Sequence, residues 1–453
     1  MDKLAKRKRD KYSHVIVENI HEEKIEPFRE TFLRLHPSDQ ADIFMTLDKD
    51  TRSKVYTYLN AEEFADVFDN LDIRSQMVFF LELDEDYATD VFNHMFTDDV
   101  ANFLSEINDQ RAEEILERMD GKKAEKVYSI LKYADETAGA IMTKELISIS
   151  STQTVGDVLD KLRDEAPDAE IVYYLYVVDP EGVLVGVVSL RDLIIAMPDE
   201  LIEDIMNTHA VSVVEDLDQE EVGKLIQKYD FLAVPVVSKE NRLLGIVTVD
   251  DVMDILEEEM TEDFGEISAT KGATDVNLSA FTAAKKRSPW IIALMFFGMI
   301  TGGVIGRFED TLESVVLLAA FIPMIMDSGG NVGTQSLAVS VRGLALGTIE
   351  KGSFFRMIRR EFSTGALIGL LCMILITILV TFIYGNTMLG AIVGVSILIT
   401  LSISAVIGSV IPLIINKMKI DPAVASGPFI TTINDIVGLL IYFSIATYLM
   451  DFL

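Results

Sequence analysis

Cysteine is almost absent: one residue in 453, Cys372, set in an apolar run. An intrachain disulfide is therefore impossible, and zinc sites built on several thiolates are not supported. The five histidines all fall before residue 288. Positive charge is also in deficit, with 39 Lys+Arg against 72 Asp+Glu and a formal net charge of −33. A field of that sign opposes binding to nucleic acid through its phosphates and draws cations. No phosphate-binding loop, nucleophile–base pair or metal-hydrolase spacing is present, so an enzyme is not expected. The opening MDKLAKRKRDKYSHVIVEN lacks an apolar stretch and does not read as a secretory signal.

The charge is unevenly placed. Residues 288–453 hold 8 basic and 9 acidic side chains, leaving a net charge of −32 on residues 1–287. An acidic soluble region thus precedes a nearly neutral apolar one. In the latter, five runs have membrane length, about 288–306, 314–338, 362–384, 390–415 and 427–449. Lys285, Lys286 and Arg287 precede the first; Arg342, Lys351, Arg356, Arg359 and Arg360 separate the second and third; Lys417 and Lys419 separate the fourth and fifth. Basic loops face the cytoplasm. The pattern predicts a multi-pass protein of the cell membrane, its N-terminal domains cytoplasmic and its C-terminus outside.

Two spans carry groups that a lipid anchor does not need. The fifth, FITTINDIVGLLIYF, contains Asp435. A charge at the bilayer centre costs at least about 2.5–3.5 kcal/mol. A protonated, hydrogen-bonded aspartate meets that cost, and so does a carboxylate holding a cation. Basic partners sit only at the span ends, which favours the cation. Carboxylate, amide and backbone oxygens are hard ligands suited to Mg²⁺ or Ca²⁺. One carboxylate cannot cage a dehydrated ion but can hold hydrated Mg²⁺, and a symmetry-related copy doubles the charge, which suggests a homodimer with the pore on its axis. The second span contains Pro323, Gly329, Gly330 and Gly333 beside Asp327, Asn331, Thr334 and Gln335. This predicts a broken helix lining a pore; a helix packing through small residues is the competing reading.

Residues 139–255 contain a repeat: AIMTKELISISSTQTVGDVLDKL with YYLYVVDPEGVLVGVVSLRDLI, then DIMNTHAVSVVEDLDQEEVGKLI with FLAVPVVSKENRLLGIVTVDDVM. Met142 aligns with Met206 and Gly186 with Gly245. Both copies resemble cystathionine-β-synthase (CBS) modules, in which the closing Ser/Thr and Asp can hold an adenosine ribose; capping of the following helix is the alternative use. Upstream, residues 25–133 read as short helices with small anchors about every 12 residues, a solenoid-like domain. Downstream, VDDVMDILEEEMTEDFGEIS crowds like charges at i, i+3 and i+4, which destabilise a helix unless cations relieve them. A solvated charged helix is the plainer alternative.

The whole pattern resembles the MgtE family of magnesium channels. The motifs that carry the resemblance in the spans are P-x₅-G-G-N-x-G-x-Q from Pro323 and T-x-x-D-x-x-G-L-L-I-Y-F from Thr432. The resemblance implies a multi-domain membrane protein. Its expected parts are an all-α N domain (1–134), an α/β pair of CBS modules (135–199 and 200–256), an acidic connecting helix (257–287) and a five-helix transmembrane domain (288–453). It implies a homodimeric pore in which Asp435, with Asn331 and Thr432, recognises transported Mg²⁺. It further implies closure by regulatory Mg²⁺ at Asp98, Asp218, Glu220, Asp230, Asp251, Asp254, Glu259, Glu262, Asp263 and Asp421. ATP is expected at the first module through Tyr174, Ser189, Arg191 and Asp192. The second module has Asp250 where the first has Arg191, and no nucleotide is assigned to it. Two other readings compete: a membrane-anchored sensor that conducts nothing, and a transporter of Mn²⁺, Co²⁺ or Ca²⁺.

Overall fold

A computed structural model describes residues 3–270, 273, 278–345, 354–418 and 427–449. The chain divides into two compact units, residues 1–256 and 257–453.

The first unit begins with ten helices: α1 (Lys3–His21), α2 (Ile25–Phe32), α3 (Pro37–Met45), α4 (Lys49–Tyr58), α5 (Ala61–Asp69), α6 (Ile73–Phe80), α7 (Glu85–His94), α8 (Thr97–Ser105), α9 (Asp109–Arg118) and α10 (Gly121–Ile130). From α3 on, the residue preceding each helix falls at 36, 48, 60, 72, 84, 96, 108 and 120, a strict repeat of 12. Each repeat is one short helix and a turn. The repeat gives a local role to four of the acids: Asp48, Asp72, Asp84 and Asp120 all cap helix N-termini with their own carboxylates, where anions suit the exposed N–H groups. Helices two apart pack together, α3 on α5 on α7 and α6 on α8 on α10. Phe44, Phe64, Phe68, Phe92, Phe103 and Phe80 run ring against ring through that core.

One repeat breaks the rule. Phe96 precedes α8 and offers no side-chain cap. Glu145, 48 residues beyond Thr97, supplies it: its Oε2 accepts from Thr97 Oγ1 at 2.6 Å and from the Thr97 N–H at 3.3 Å. Lys126 Nζ from α10 donates to the same carboxylate at 3.0 Å. A buried, ion-paired cap thus ties the helical repeat to the segment that follows it.

That segment forms two modules of identical layout. The first comprises β1 (Ser148–Ser150), α11 (Val155–Glu165), β2 (Tyr174–Val178), β3 (Leu184–Ser189) and α12 (Leu190–Ile195). After the single turn α13 (Ile202–Ile205) come β4 (Val213–Val214), α14 (Gln219–Tyr229), β5 (Ala233–Val237), β6 (Leu243–Thr248) and α15 (Val249–Ile267). In both sheets the first strand is parallel to the second and the second antiparallel to the third, with the same bulge, at Val177/Val178 and at Val236/Val237. The repeated Met and Gly are explained by exchange between the modules. Met142 packs where a Cβ on Gly245 would stand, and Met206 packs likewise on Gly186. Thr143 bridges to Ile246 and Asn207 to Val187. Each module therefore borrows the lead segment of the other.

In the second unit α16 (Ala280–Gly306) is followed by α17 (Glu309–Ser314), a 3₁₀ segment (Val316–Phe321), α18 (Ile322–Ala345), α19 (Phe354–Tyr384), α20 (Thr387–Lys417) and α21 (Gly427–Tyr448). Among the described residues five helical segments are long and apolar enough to cross a membrane. Helices α18, α20 and α21 pack on one another, with α19 on α20 and α16 on α21. The second span corrects the expectation of a helix broken at its glycines. The irregular backbone is the 3₁₀ segment before Pro323, and α18 runs unbroken through Gly329, Gly330 and Gly333. Its glycines serve close packing instead: the Asn434 side chain fills the place of a Cβ on Gly333, and the Gly333 carbonyl that of a Cβ on Gly408. Nor is 257–287 one helix, since α15 runs from the second module to Ile267 and α16 starts at Ala280.

The borrowed cap generates a prediction. Asp48→Ala removes an exposed cap and should cost about 1 kcal/mol. Glu145→Ala also strands a buried threonine and removes an ion pair, so it should cost roughly 2–4 kcal/mol. Urea unfolding of a fragment of residues 1–267 measures both, and equal costs would refute the inter-domain cap.

Candidate functional site

Two helix N-termini meet in the first unit. Asp98 and Asp99 stand in the first turn of α8, and Asp251 in the first turn of α15. One oxygen from each lies within 4.8 Å of the others. Asp251 accepts the hydroxyl proton of Thr248. Asp98 is buried, and its Oδ1 has no hydrogen-bond donor. Asp69, which shares a hydrogen bond with Asp99, joins them, as do Glu170 and Asp250. Lys123 is a cation near Asp98 and Asp99.

So many carboxylates close together, most of them largely out of water, cannot all stay ionised on their own. Burial, then the charges of Asp251 and Glu145, pushes Asp98 well above the usual carboxylate range. Burial with Asp98 and Asp69 does the same to Asp99. Asp251 rises to about 6 through burial and the Asp250 and Asp69 charges, against the hydrogen bond from Thr248. Glu170 rises to about 9 through burial and then Asp98, Asp251, Asp250 and Asp69. Glu145 goes the other way: burial is outweighed by Thr97, Lys123 and Lys126, and its pKa falls. The donor set is all oxygen, anionic and converging, with a buried orphan acceptor. It fits a hard divalent cation.

Of the residues expected to sense ions, the fold brings Asp98 and Asp251 together and adds Asp99. Asp218 and Glu220 open α14, where Asp218 caps by accepting the Glu220 N–H at 2.9 Å. Asp230 ends that helix in the left-handed conformation, about 15 Å away at the helical rise of 1.5 Å per residue. These three form no common site within the chain. Asp254 follows Asp251 by one turn, and Glu259, Glu262 and Asp263 stand on later turns of α15. Asp421 lies outside the described residues. Asp99, Asp69 and Glu170 were missed by the sequence reading. Asp99 adjoins Asp98 and was findable; Asp69 and Glu170 are distant in sequence and only the fold gathers them.

At the first module, Tyr174 and Ser189 face each other across β2 and β3. Ser189 caps α12, donating to Asp192 Oδ2 at 2.6 Å and accepting the Asp192 N–H at 3.1 Å. Arg191 and Asp192 are exposed. The hydroxyl and carboxylate thus satisfy each other here while remaining open to a sugar's hydroxyls.

In the membrane unit, Asp327, Asn331 and Gln335 lie at intervals of four on α18 and are exposed along one face. Asp435 on α21 has a buried Oδ1 without a hydrogen-bond donor. Thr432, its expected companion, donates its hydroxyl to the Pro428 carbonyl at 2.8 Å within α21. Thr334 and Thr431 link α18 to α21 at 3.4 Å. A polar stripe exposed on a membrane helix must face water or another protein surface, because lipid cannot satisfy it.

An acidic unit joined in one chain to a five-span unit with a carboxylate inside a span defines a class, membrane proteins that move cations. Residues 322–445 match a family described as divalent cation transporters, residues 35–136 the MgtE intracellular N domain, and residues 138–199 and 202–258 the CBS domain. The magnesium transporter MgtE of Bacillus subtilis is 41% identical over 424 residues, 94% of both chains. That of Enterococcus faecalis is 40% identical over 440 residues, 97% of both. The chain belongs to the MgtE family, whose members are transporters and not enzymes. A crystal structure of the soluble part of a magnesium transporter, 40% identical, covers 55% of this chain and 99% of its own (TM-score 0.54). The cytosolic domain of the Mg²⁺ channel MgtE in complex with ATP, 36% identical, covers 54% and 99% (TM-score 0.51).

The raised carboxylates fix a pH dependence. A group whose pKa is higher folded than unfolded stabilises the fold below its unfolded pKa and loses that contribution as pH rises through the folded value. Without divalent ions, the fragment of residues 1–267 should lose stability as pH rises from about 4 through 6 toward 9. Mg²⁺ should restore it, raising the melting temperature more at pH 8 than at pH 5. An equal Mg²⁺ effect at both pH values, read by calorimetry, would contradict the cluster as a cation site.

Proposed function

We propose that this protein imports Mg²⁺ across the cell membrane as a homodimer and is closed by cytosolic Mg²⁺ bound to its acidic domains. The observation that carries the reading is Asp435, an acceptor buried without a donor in the middle of a membrane span. The exposed face of Asp327, Asn331 and Gln335 supports a water-lined path completed by a second copy. The magnesium transporters at 40–41% identity over nearly the whole chain support Mg²⁺ as the cargo. A hydrated Mg²⁺ suits a single carboxylate, because the ion gives up its waters reluctantly and can be held through them. The N-terminal domains lie in the cytoplasm and the C-terminus outside, as the basic loops direct. The functional division is 1–134, 135–199, 200–256, 257–287 and 288–453.

Regulation follows from the cluster of Asp98, Asp99 and Asp251. Without a cation these carboxylates push the helical repeat from the modules; a bridging Mg²⁺ removes the repulsion. Asp218, Glu220, Asp230, Asp254, Glu259, Glu262, Asp263 and Asp421 contribute further ions between protomers or along the connecting segment. Moving a closed–open equilibrium from 1:99 to 99:1 takes about 5.5 kcal/mol, which several weak ions share. ATP binds the first module at Tyr174, Ser189, Arg191 and Asp192, a reading supported by the ATP complex of the similar cytosolic domain.

Two measurements test these assignments. Asp435→Ala should abolish Mg²⁺ uptake into proteoliposomes while leaving folding and dimerisation intact, and Asp435→Asn should retain little selectivity. Robust Mg²⁺ currents through the alanine variant would sink the pore assignment. Deleting residues 1–133, or neutralising Asp98, Asp99 and Asp251 together, should leave a channel open at high cytosolic Mg²⁺. Closure with unchanged Mg²⁺ dependence in patch recordings would remove the cluster from regulation.

A further inference from the structure

Helix α20 carries a row of hydroxyl side chains, and they divide into two kinds. Ser396, Ser402 and Ser409 each donate to a carbonyl of their own helix, at 2.7, 2.7 and 3.0 Å. This is the ordinary way for a hydroxyl to be satisfied inside a membrane. Thr400 and Ser404, one turn apart, do not. Both are almost wholly buried, at 1% exposure, yet neither hydroxyl has a hydrogen-bond partner. Across from them on α21, Asn434 is 0% exposed, and both its Nδ2 and its Oδ1 are unpartnered.

The three residues meet along one edge of α18. Where a Cβ on Gly329 would stand, Ser404 Oγ lies 3.2 Å away, the Thr400 methyl 3.1 Å and the Asn434 backbone carbonyl 3.9 Å, and the Asn434 side-chain amide packs one turn on, against Gly333. Thr400 Cγ2 also lies 3.0 Å from the Cβ position of Gly438, which is three residues, or one helical turn, beyond Asp435. Residues so spaced are neighbours on a helix surface. Asp435, one turn before Gly438 on α21, carries a further buried and unpartnered oxygen, Oδ1. Pairing in a second copy of the chain does not account for the other three residues, since Thr400, Ser404 and Asn434 are already enclosed within one chain.

We propose that Thr400, Ser404 and Asn434 hold ordered water inside the helical bundle, behind Asp435, and that this water fixes the orientation of the Asp435 carboxylate. The chemistry selects water. A bare cation satisfies the oxygens but is repelled by the Asn434 amide hydrogens, whereas water both donates and accepts, and buried waters typically make about three such bonds. A carboxylate held from behind by fixed donors presents its free oxygen to a hydrated ion in one geometry. The three side chains are positioning residues; Asp435 is the group that meets the ion. The proposal rests on the reading of Asp435 as that group.

The test uses the full-length protein in proteoliposomes, with Mg²⁺ uptake measured against external Mg²⁺. Thr400→Val and Ser404→Ala remove the hydroxyls with little change of shape. Each should raise the half-saturating Mg²⁺ concentration by about threefold or more through loss of the bridging water, without lowering the melting temperature. Thr400→Ser keeps the hydroxyl and should restore the wild-type curve. Radiolytic hydroxyl-radical labelling with mass spectrometry reads the water itself: buried Ile325, beside Gly438, should label in the wild type and not in Thr400→Val. Superimposed uptake curves for Thr400→Val and wild type overturn the proposal, as do equal shifts in the Val and Ser variants. Failure of the pore reading is separately visible, as wild-type uptake and selectivity in Asp435→Asn.

Discussion

A carboxylate removed from water is the constraint on which both halves of this molecule turn. Its charge must be met by a proton, a fixed cation or a diffusible one. The chain supplies few fixed cations where its acids are most buried. Glu145 shows the satisfied case: Lys123, Lys126 and Thr97 surround it, its pKa falls, and it serves as a permanent cap. Asp98 lies next to the residue Glu145 holds and shows the opposite case, with a raised pKa and an orphan oxygen. Two buried acids, 47 residues apart in the chain and both near Lys123, thus have opposite electrostatic fates, decided by whether hydrogen-bonding cations and hydroxyls or further carboxylates stand against them.

The acid-rich composition therefore has more than one origin, and counting charge does not separate them. In the helical repeat Asp48, Asp72, Asp84 and Asp120 are caps set on a 12-residue spacing, each worth about 1 kcal/mol to its own helix. Others, such as Asp69 and Asp99, are gathered by packing into a cluster that destabilises the ion-free fold at neutral pH. The repeat makes the gathering possible. It places α8 so that its first turn meets that of α15, and Phe96 gives up the local cap so that Glu145 can hold that turn in place.

Much of the architecture was legible in the sequence because it is periodic or local. Membrane length, the closing Ser/Thr and Asp of each module and the 12-residue spacing are properties of short stretches. What escaped the reading is long-range. Glu145, 48 residues from Thr97, carries no local mark of a cap, and Glu170 joins the cluster only through the fold. The exchange of lead segments between modules lies behind the aligned methionines and glycines, but alignment alone cannot say which methionine meets which glycine. In α18 the glycines misled for a different reason. Breaking a helix and letting another helix approach both require the absence of a Cβ, and only the packing partners Asn434 and Gly408 decide between them.

The two carboxylate sites differ in a way that suits opposite tasks. In the cluster of Asp98, Asp99 and Asp251 three oxygens converge on one space, so an ion bound there replaces several waters and competes with protons. Such a site holds its ion and changes the balance of forces between the elements it joins. A single Asp435 in a membrane span can displace little of an ion's hydration and binds through charge and outer-sphere hydrogen bonds. Passage requires binding favourable enough to enter and weak enough to leave. On the function proposed above, the number of carboxylates that converge, rather than their presence, distinguishes a site that senses an ion from one that lets it pass.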